Sequence, residues 1–362
     1  MSTLHIAVLP GDGIGPEVVR EARKALDAIA SASSFSFEYE EGLIGAAAID
    51  ATGSPFPAPT LELLERSDAI LFGAIGDPKY DNDPSAKVRP EQGLLAMRKA
   101  LGLFVNVRPV ASYDLLNDAS PLRKEIIEGV DIVVYRELTG GIYFGSPRGR
   151  SEDGQMAFDT CTYSREEIER VAVRAFEAAR RRRNKLTLVD KANVLATSRL
   201  WREVVTEMAS SQFPDVDYDT MFVDNAAMKL IQNPGFFDVI LTGNLFGDIL
   251  SDAASVLAGS LGMLPSASLG KKTSLFEPVH GSYPQATGKG IANPMATILS
   301  AAMLLEDGLG LAKEAAVIRK AILSAMENGY VTEDIQGGNK STTEVGDYVA
   351  SFIEKNYAVP AS

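Results

Sequence analysis

The segment FDVILTGNLFGDILSD (residues 237–252) decides the local fold, because a strand pattern in it runs directly into a helix pattern. Residues 237–242 form an apolar run typical of a buried strand, and the apolar residues that follow recur at helical spacing. Asp248 and Asp252 lie four residues apart, so a helix directs both carboxylates to one face. We expect them in the first turns of that helix, where the macrodipole favours negative charge. Two such carboxylates suit Mg²⁺ or Mn²⁺, although a solvated acidic helix start would show the same spacing.

Strand and helix patterns alternate outward from this segment. Strand-like runs lie at 4–9, 35–40, 68–73, 103–110, 130–135, 185–189, 218–223 and 237–242. Helical patterns lie at 16–31, 59–66, 92–101, 164–183, 198–210, 294–306 and 311–327. Such alternation favours an α/β fold with a largely parallel sheet covered by helices. The chain is long enough for two domains, and no low-complexity linker separates them.

Composition argues against several classes of function. The 362 residues carry a formal net charge of −13, which disfavours nucleic acid or an anionic membrane surface as the main partner. Cys161 is the one cysteine, so no intrachain disulfide is possible and a reducing, cytoplasmic location is expected. The first residues lack the pattern of a signal peptide, and no apolar run approaches the roughly 18 residues that a membrane span needs.

A glycine-rich turn follows the first strand pattern, at residues 11–17. Its spacing, Gly-x-Gly-x-Gly-Pro, differs from the Gly-x-Gly-x-x-Gly of a Rossmann pyrophosphate site. Pro16 is typical of a first helical position. The sequence therefore predicts a tight strand-to-helix turn here, and no Rossmann fingerprint.

Five further side chains are candidates for substrate binding or catalysis. Arg98, Arg108 and Arg136 could bind carboxylates in a bidentate manner, although an arginine considered alone is more often a surface residue. Tyr143 would ordinarily be a packed strand aromatic. Lys191 follows a strand pattern among apolar neighbours, where a lysine can lose solvation and serve as a general base.

Two aspartates bear on these candidates. Instead of serving as a base, Lys191 could form an ion pair with the adjacent Asp190. Asp224 ends another strand pattern and offers a third carboxylate for a metal ion.

Taken together, these segments resemble the isocitrate/isopropylmalate dehydrogenase family of metal-dependent β-decarboxylating dehydrogenases. The matching segments follow the family's order over nearly the whole chain: LPGDGIGPE (9–17), RPEQGLLAMR (89–98), NVRP (106–109), RELTGGIYFG (136–145), VDKANV (189–194), GNLFGDILSD (243–252) and FEPVHGS through GKGIANP (276–294). The resemblance implies two α/β domains around a central mixed sheet, not a Rossmann fold. Residues 1–103 with 259–362 would bind the cofactor, and residues 104–258 would carry the dimerisation, metal and substrate functions.

The resemblance also implies a reaction. Metal-dependent oxidative decarboxylation would convert 3-isopropylmalate to 4-methyl-2-oxopentanoate and CO₂ with reduction of NAD, a step of leucine biosynthesis. Lys191 would take the hydroxyl proton and Tyr143 would protonate the enolate carbon. Lys191 and Asp224 would reach the site from the second subunit of an obligatory homodimer.

Binding roles follow from the same resemblance. Asp224, Asp248 and Asp252 would hold Mg²⁺ or Mn²⁺. The substrate would be contacted by Arg98, Arg108, Arg136, Asp224, Glu91, Leu94, Leu95 and Val194. NAD would be contacted by Ile14, Gly76, Glu91, Asn244, Glu277, His280, Gly281, Ser282, Tyr283, Gln285 and Asn293.

Two features of the match leave alternatives open. Leu94 and Leu95 suit a branched alkyl group, but isocitrate, homoisocitrate and tartrate stay alternative substrates. Gln285 stands where the NAD-selective pattern has an aspartate, so we expect NAD with weakened rejection of NADP. The same fold could also serve a ligand-binding or acyl-transfer protein without hydride chemistry, because fold does not determine function.

Overall fold

The computed structural model describes residues 2–81 and 87–357. The strands are β1 (Ser2–Gly11), β2 (Phe35–Glu41), β3 (Ala69–Ala74), β4 (Val105–Ala111), β5 (Asp131–Glu137), β6 (Arg148–Arg150), β7 (Ala157–Asp159), β8 (Lys185–Asp190), β9 (Asp217–Phe222), β10 (Val239–Thr242), β11 (Pro265–Leu269) and β12 (Leu275–Pro278). The helices are α1 (Gly15–Ser31), α2 (Gly45–Thr52), α3 (Ala58–Arg66), α4 (Pro78–Asp81), α5 (Pro90–Ala100), α6 (Lys124–Ile127), α7 (Arg165–Arg181), α8 (Ala196–Ser211), α9 (Val223–Gln232), α10 (Asn244–Ser255), α11 (Met295–Met303), α12 (Ala312–Glu327) and α13 (Thr342–Asn356). Among these helices, none has the length and apolar character to cross a membrane.

The chain forms two compact units. The terminal unit comprises Met1–Gly102 with Ser260–Ser362, and the middle unit comprises Leu103–Gly259. Each unit therefore has its own sheet strands and covering helices, and the chain passes from one unit to the other twice.

Strands of the terminal unit follow the order β2-β1-β3-β12-β11. The pairs among β2, β1, β3 and β12 are parallel, and β11 is antiparallel to β12. Every residue of β3 is buried, as a central strand covered on both faces requires. Helix α1 packs against α11 and α13, and its buried face is rich in alanine, which permits close approach.

Strands of the middle unit follow the order β4-β5-β10-β8-β9. Only β4, which is antiparallel to β5, departs from a parallel arrangement. The carboxyl ends of β5, β10 and β8 therefore meet at one edge of the sheet, which is where open α/β sheets place ligand sites. Strands β6 and β7 form a separate antiparallel pair.

The sequence prediction was correct for every strand run it proposed, and the α/β class with a largely parallel sheet is confirmed. It missed β6 and β7, whose residues are exposed on both faces and show no alternation. It also missed β11 and β12 and the helices α2, α4, α6 and α9, and it gave no separate range for α13. Short segments such as α2 contain too few turns to show a helical period.

The glycine-rich turn is a tight strand-to-helix connection, as predicted. Strand β1 ends at Gly11 and α1 begins at Gly15, with Pro16 in its first turn. Gly13 has a φ of +59°, and a Cβ placed there would lie 2.0 Å from the carbonyl oxygen of Ser282. Only glycine permits this approach, which the Ile14 amide completes by donating to the same oxygen at 2.9 Å.

Helix α7 begins with a capping box formed by Ser164 and Glu167. Ser164 Oγ accepts from the Glu167 amide at 3.2 Å, and Glu167 Oε2 accepts from the Ser164 amide at 2.7 Å. We expect Ser164→Ala to lower the free energy of unfolding by about 1 kcal/mol, because a helix N-terminal donor loses its partner. Urea titration measures this change. Ser210→Ala, at the exposed end of α8, is the matched control, and an equal loss in both variants contradicts the capping role.

Candidate active site

The two aspartates of the opening segment lie deeper in their helix than expected. Helix α10 begins at Asn244, directly after Gly243, so Asp248 is in the second turn and Asp252 in the third. The expectation that the helix macrodipole stabilises them is therefore wrong, since that effect is confined to the first turn. Their charges are balanced by arginines instead, and the i, i+4 spacing does place both on one face of the helix.

Arg136, in β5, forms the centre of the first arginine cluster. Its Nε and Nη2 donate to Asn244 Oδ1 at 3.1 and 2.8 Å, and its Nη1 donates to Asp248 Oδ1 in a short contact. Tyr143 Oη donates to the other oxygen of Asp248 at 2.8 Å. The arginine is almost fully buried, so its guanidinium is held in one orientation beside the aspartate.

Tyr143 is not a packed strand aromatic. It lies in the short 3₁₀ turn Gly141–Tyr143, and 38% of the residue is exposed. Burial, and then the hydrogen bond to Asp248, raise the pKa of the phenol above its usual value. The hydroxyl therefore stays protonated at neutral pH and is a proton donor at the sheet edge.

The turn that carries Tyr143 is held by a buried carboxylate that the sequence analysis did not single out. Glu137 accepts from the Thr139 amide at 2.8 Å and from the Gly140 amide at 2.7 Å, and Arg170 lies 3.5 Å away. Asn244 Nδ2 donates to the Gly140 carbonyl at 3.1 Å. The side chain of Asn244 thus joins the turn to Arg136, and no local sequence pattern marks this long-range role.

Arg108 forms the second arginine cluster. Its Nη1 donates to Asp252 Oδ1 at 2.7 Å and to Ser251 Oγ at 2.8 Å, while its Nε donates to Asn106 Oδ1 at 2.8 Å. The guanidinium is mostly buried, whereas the Asp252 side chain is 68% exposed. Arg108 and Arg136 therefore each lie beside a carboxylate of α10.

Lys191 follows β8 and forms an ion pair, but with a different partner from the one considered. Its Nζ lies 3.1 Å from Asp224 Oδ1, and it lowers the pKa of that carboxyl. Asp190 is instead bound by Arg202 through two hydrogen bonds of 2.7 and 2.8 Å. The predicted strand end at Asp224 is also wrong, because β9 stops at Phe222 and Asp224 is in the first turn of α9.

The aspartates suit a hard divalent cation by their chemistry. Asp248 and Asp252 offer carboxylate oxygens on one helix face, the ligand type that Mg²⁺ and Mn²⁺ prefer. Within residues 2–81 and 87–357 of this single chain, no three His, Cys, Asp or Glu side chains form a ready metal cluster. A metal ion bound by these two aspartates would therefore need further ligands from outside this group.

A cavity of about 690 Å³ lies in the terminal unit. Five predicted cofactor residues line it: Ile14, His280, Gly281, Tyr283 and Asn293. The lining residues that the sequence analysis did not propose are Ser260, Leu261, Gly262, Ile291, Ala292, Glu333 and Asp334. Tyr283 has a φ of +40°, a conformation that an aromatic residue rarely adopts and that is typical of functional sites.

Other predicted cofactor residues of the terminal unit lie in two further groups. A Cβ placed on Gly76 would lie 3.1 Å from Glu91 Oε1 and 3.5 Å from Ser282 Oγ, so these three are neighbours. Glu277 Oε1 accepts from Arg98 Nη2 at 2.9 Å.

Gln285, Leu95 and Val194 are among the predicted contacts that are exposed. Gln285 is exposed in the 3₁₀ turn Pro284–Ala286 and is absent from the cavity lining. Leu95, on α5, and Val194 are also exposed, whereas Leu94 is half-buried.

Comparison with known proteins gives matches over nearly the whole chain. Residues 5–349 match the family described as isocitrate/isopropylmalate dehydrogenase. The 3-isopropylmalate dehydrogenase of Bacteroides fragilis is 54% identical over 97% of this chain and 99% of its own length. That of Aquifex aeolicus is 52% identical over 98% of both chains.

Solved structures show the same fold. An isocitrate dehydrogenase from Methylococcus capsulatus has a TM-score of 0.83 at 34% identity, and the match covers 97% of this chain and 99% of that one. A β-decarboxylating dehydrogenase from Thermococcus kodakarensis has a TM-score of 0.80 at 40% identity, with 97% and 96% covered.

Proposed function

Because this chain belongs to the isocitrate/isopropylmalate dehydrogenase family, we propose that it carries out the NAD-dependent oxidative decarboxylation of 3-isopropylmalate. The products are 4-methyl-2-oxopentanoate and CO₂, and the step belongs to leucine biosynthesis in the cytoplasm. The observation that carries the proposal is the cluster in which Asp248 bridges the Arg136 guanidinium and the Tyr143 hydroxyl. A cation, a carboxylate and a proton donor then lie side by side, which decarboxylation of a malate requires.

Arginines bind the two carboxylates of the substrate. Arg108 and Arg136 already lie against carboxylates of the protein, Asp252 and Asp248. Asp248 and Asp252 would hold a divalent cation, and the substrate carboxylates would then take their place as partners of Arg136 and Arg108. Arg98, paired with Glu277, is the third cation assigned to the substrate.

Proton transfers fall to two side chains. Lys191 removes the hydroxyl proton of the substrate, and Tyr143, whose raised pKa keeps it protonated, donates a proton to the carbon from which CO₂ has left. When bound, Mg²⁺ or Mn²⁺ at Asp224, Asp248 and Asp252 supplies Lewis acidity and NAD supplies the hydride acceptor. Asp224 pairs with Lys191 before reaction and so keeps it oriented, and Lys191 takes the hydroxyl proton in its neutral amine form.

The working assembly is a homodimer, with Lys191 and Asp224 acting in the site of the partner subunit. Two features of the middle unit support this. Large apolar side chains are exposed on α9, on α10 and directly after α10. Met228, Ile231, Ile249 and Val256 are each more than two-fifths exposed, which is typical of a surface that packs against an apolar partner. Lys191 and Asp224 also form one ion pair, so both can be presented together.

Leu94 sets the size of the alkyl group. It is half-buried on α5, and an apolar wall discriminates by about 1–3 kcal/mol for each methylene that fits or clashes. We expect Leu94→Ala to lower kcat/KM for 3-isopropylmalate and to favour longer 3-alkylmalates relative to it, without creating isocitrate activity. Steady-state kinetics over a series of 3-alkylmalates measures this. Leu323→Ala, an exposed leucine of α12, is the control, and an unchanged chain-length profile in Leu94→Ala contradicts the assignment.

Cofactor reduction with a panel of substrates tests the whole proposal. 3-Isopropylmalate, isocitrate, homoisocitrate and tartrate are each supplied with NAD and with NADP in the presence of Mg²⁺. The highest kcat/KM is expected for 3-isopropylmalate with NAD. A higher value for another malate assigns a different substrate, and no reduction with any pair overturns the dehydrogenase function in favour of a binding or acyl-transfer protein.

A further inference from the structure

Helix α10, which carries Asp248 and Asp252, begins without a cap from its own N-terminal residue. That residue is Gly243, which has no side chain to offer. The Asn244 amide is the first of the helix and donates instead to the phenol oxygen of Tyr163 at 2.8 Å. Tyr163 lies 81 residues earlier in the chain and directly before the capping box of α7, so a tertiary contact supplies the cap.

The same phenol lies against the turn that carries Tyr143. A Cβ placed on Gly141, the first residue of that turn, would overlap Tyr163 Oη, and one placed on Gly243 would lie 3.1 Å from it. Both stretches of backbone approach the phenol this closely because they are glycines. The Gly141 amide also donates to the Thr162 carbonyl at 3.1 Å. Tyr163 is therefore in contact with the turn and with the start of α10 together.

Packing alone does not fix the ring of Tyr163. Trp201 of α8 packs edge-on against it, with the ring centroids 5.4 Å apart and the planes at 87°. Elsewhere a cavity of about 170 Å³ adjoins it, and Cys161 and Leu195 are among the residues that line this cavity with Tyr163 and Trp201. Incomplete packing leaves room for the ring to shift, so the hydrogen bond to Asn244 determines where the phenol stays.

Asn244 connects this position to the reacting groups. Its Oδ1 accepts from Nε and Nη2 of Arg136 at 3.1 and 2.8 Å, and its Nδ2 donates to the Gly140 carbonyl at 3.1 Å. Gly140 directly precedes the turn of Tyr143. A shift of Asn244 therefore displaces a guanidinium assigned to the substrate and the phenol assigned to proton donation.

We propose that Tyr163 is a positioning residue of the reaction, whose phenol oxygen fixes Asn244 and the turn of Tyr143 in the geometry that proton donation requires. The inference rests on the proposed function, in which Tyr143 protonates the carbon that CO₂ has left. Tyr163 acts through these two residues and is not itself a catalytic residue. Small displacements are costly, because a misplacement of about 1 Å at a reacting group can lower a rate about 10²-fold.

Tyr163→Phe tests the phenol oxygen while the ring is kept. We expect kcat for 3-isopropylmalate to fall about 10- to 100-fold, the loss typical when a residue that supports a functional group is removed. Tyr218→Phe is the matched control, because it is a half-buried tyrosine of the same unit whose hydroxyl lies 3.1 Å from Thr206 Oγ1. This control should keep the wild-type kcat, and thermal unfolding verifies that both variants are folded.

Hydrogen–deuterium exchange measured by mass spectrometry reports the cap independently of activity. The peptide that covers residues 243–250 should exchange faster in Tyr163→Phe than in wild type, since the first amide of α10 has lost its acceptor. In Tyr218→Phe the same peptide should exchange as in wild type.

A double variant separates positioning from a general effect on stability. If Tyr163 acts through Tyr143, the loss of kcat in Tyr163→Phe/Tyr143→Phe is smaller than the product of the two single losses, because a donor that is absent cannot be misplaced. A phenol that only stabilises the fold would give losses that multiply.

The outcomes separate this inference from the proposed function. If Tyr163→Phe has the kcat of its control while wild type oxidises 3-isopropylmalate, the inference is overturned and the proposed function stands. Losses that multiply in the double variant, or unchanged exchange at the start of α10, also overturn the inference. If wild type reduces neither NAD nor NADP with any malate, the inference falls together with the proposed function.

Discussion

Lys191→Met lowers kcat for 3-isopropylmalate by about 10²–10⁴-fold, the range that a general base contributes, while KM changes little. The reason is that the substituted side chain has similar length but cannot accept the hydroxyl proton. The substrate carboxylates are bound by arginines, so binding does not depend on this ammonium group. Steady-state kinetics with saturating NAD and Mg²⁺ measures both constants.

Two further substitutions test whether Lys191 acts as a general base or only as a positive charge. Lys191→Arg keeps a positive charge able to pair with Asp224, but the guanidinium does not release its proton, so its kcat should be as low as that of Lys191→Met. Lys185→Met, at the other end of the same strand β8, should keep normal kcat because its ammonium lies 3.6 Å over the Phe236 ring instead. A near-normal kcat for Lys191→Met rules out the base.

Asp248→Asn raises the Mg²⁺ concentration needed for half-maximal activity by at least about 10- to 100-fold, the amount lost when even a hydrogen-bonded neighbour of a ligand is removed. An amide is isosteric with the carboxylate but supplies no charge to a hard cation. The amide oxygen can still accept from Arg136, and the amide nitrogen can donate to the Tyr143 hydroxyl oxygen, so the unfolding temperature should change little. Activity is measured against Mg²⁺ and against Mn²⁺.

The matched control for this variant is Asp118→Asn, an exposed aspartate of the same unit. It changes the surface charge equally and should leave the metal dependence as it is. Should Asp248→Asn show the wild-type Mg²⁺ requirement, Asp248 is not a metal ligand and its role is confined to Arg136 and Tyr143.

Much of the strand and helix order could be predicted from the sequence, because the side chains buried by a strand or a helix recur as apolar residues at a regular spacing. The run 237–242 and the presence of a helix after it were predicted correctly. Strands without a regular apolar spacing were missed. All residues of β6 and β7 are exposed, so apolar and polar residues do not alternate along them. The start of α10 was placed too late. The helix begins at Asn244, because Gly243 is an extended N-cap that directly follows β10.

The sequence by itself determined the α/β class, the family and the residue types that the chemistry needs, because these depend on periodicity and on motifs read in order. Tertiary structure alone decided which charges are partners: Lys191 pairs with Asp224 and leaves Asp190 to Arg202. It also decided that Asn244 joins Arg136 to the turn of Tyr143, and that Glu333 lines the cavity whereas Gln285 does not. The physical reason is that a hydrogen bond or ion pair depends on distances in space between strands and helices far apart in the chain, and a single sequence contains no measure of those distances.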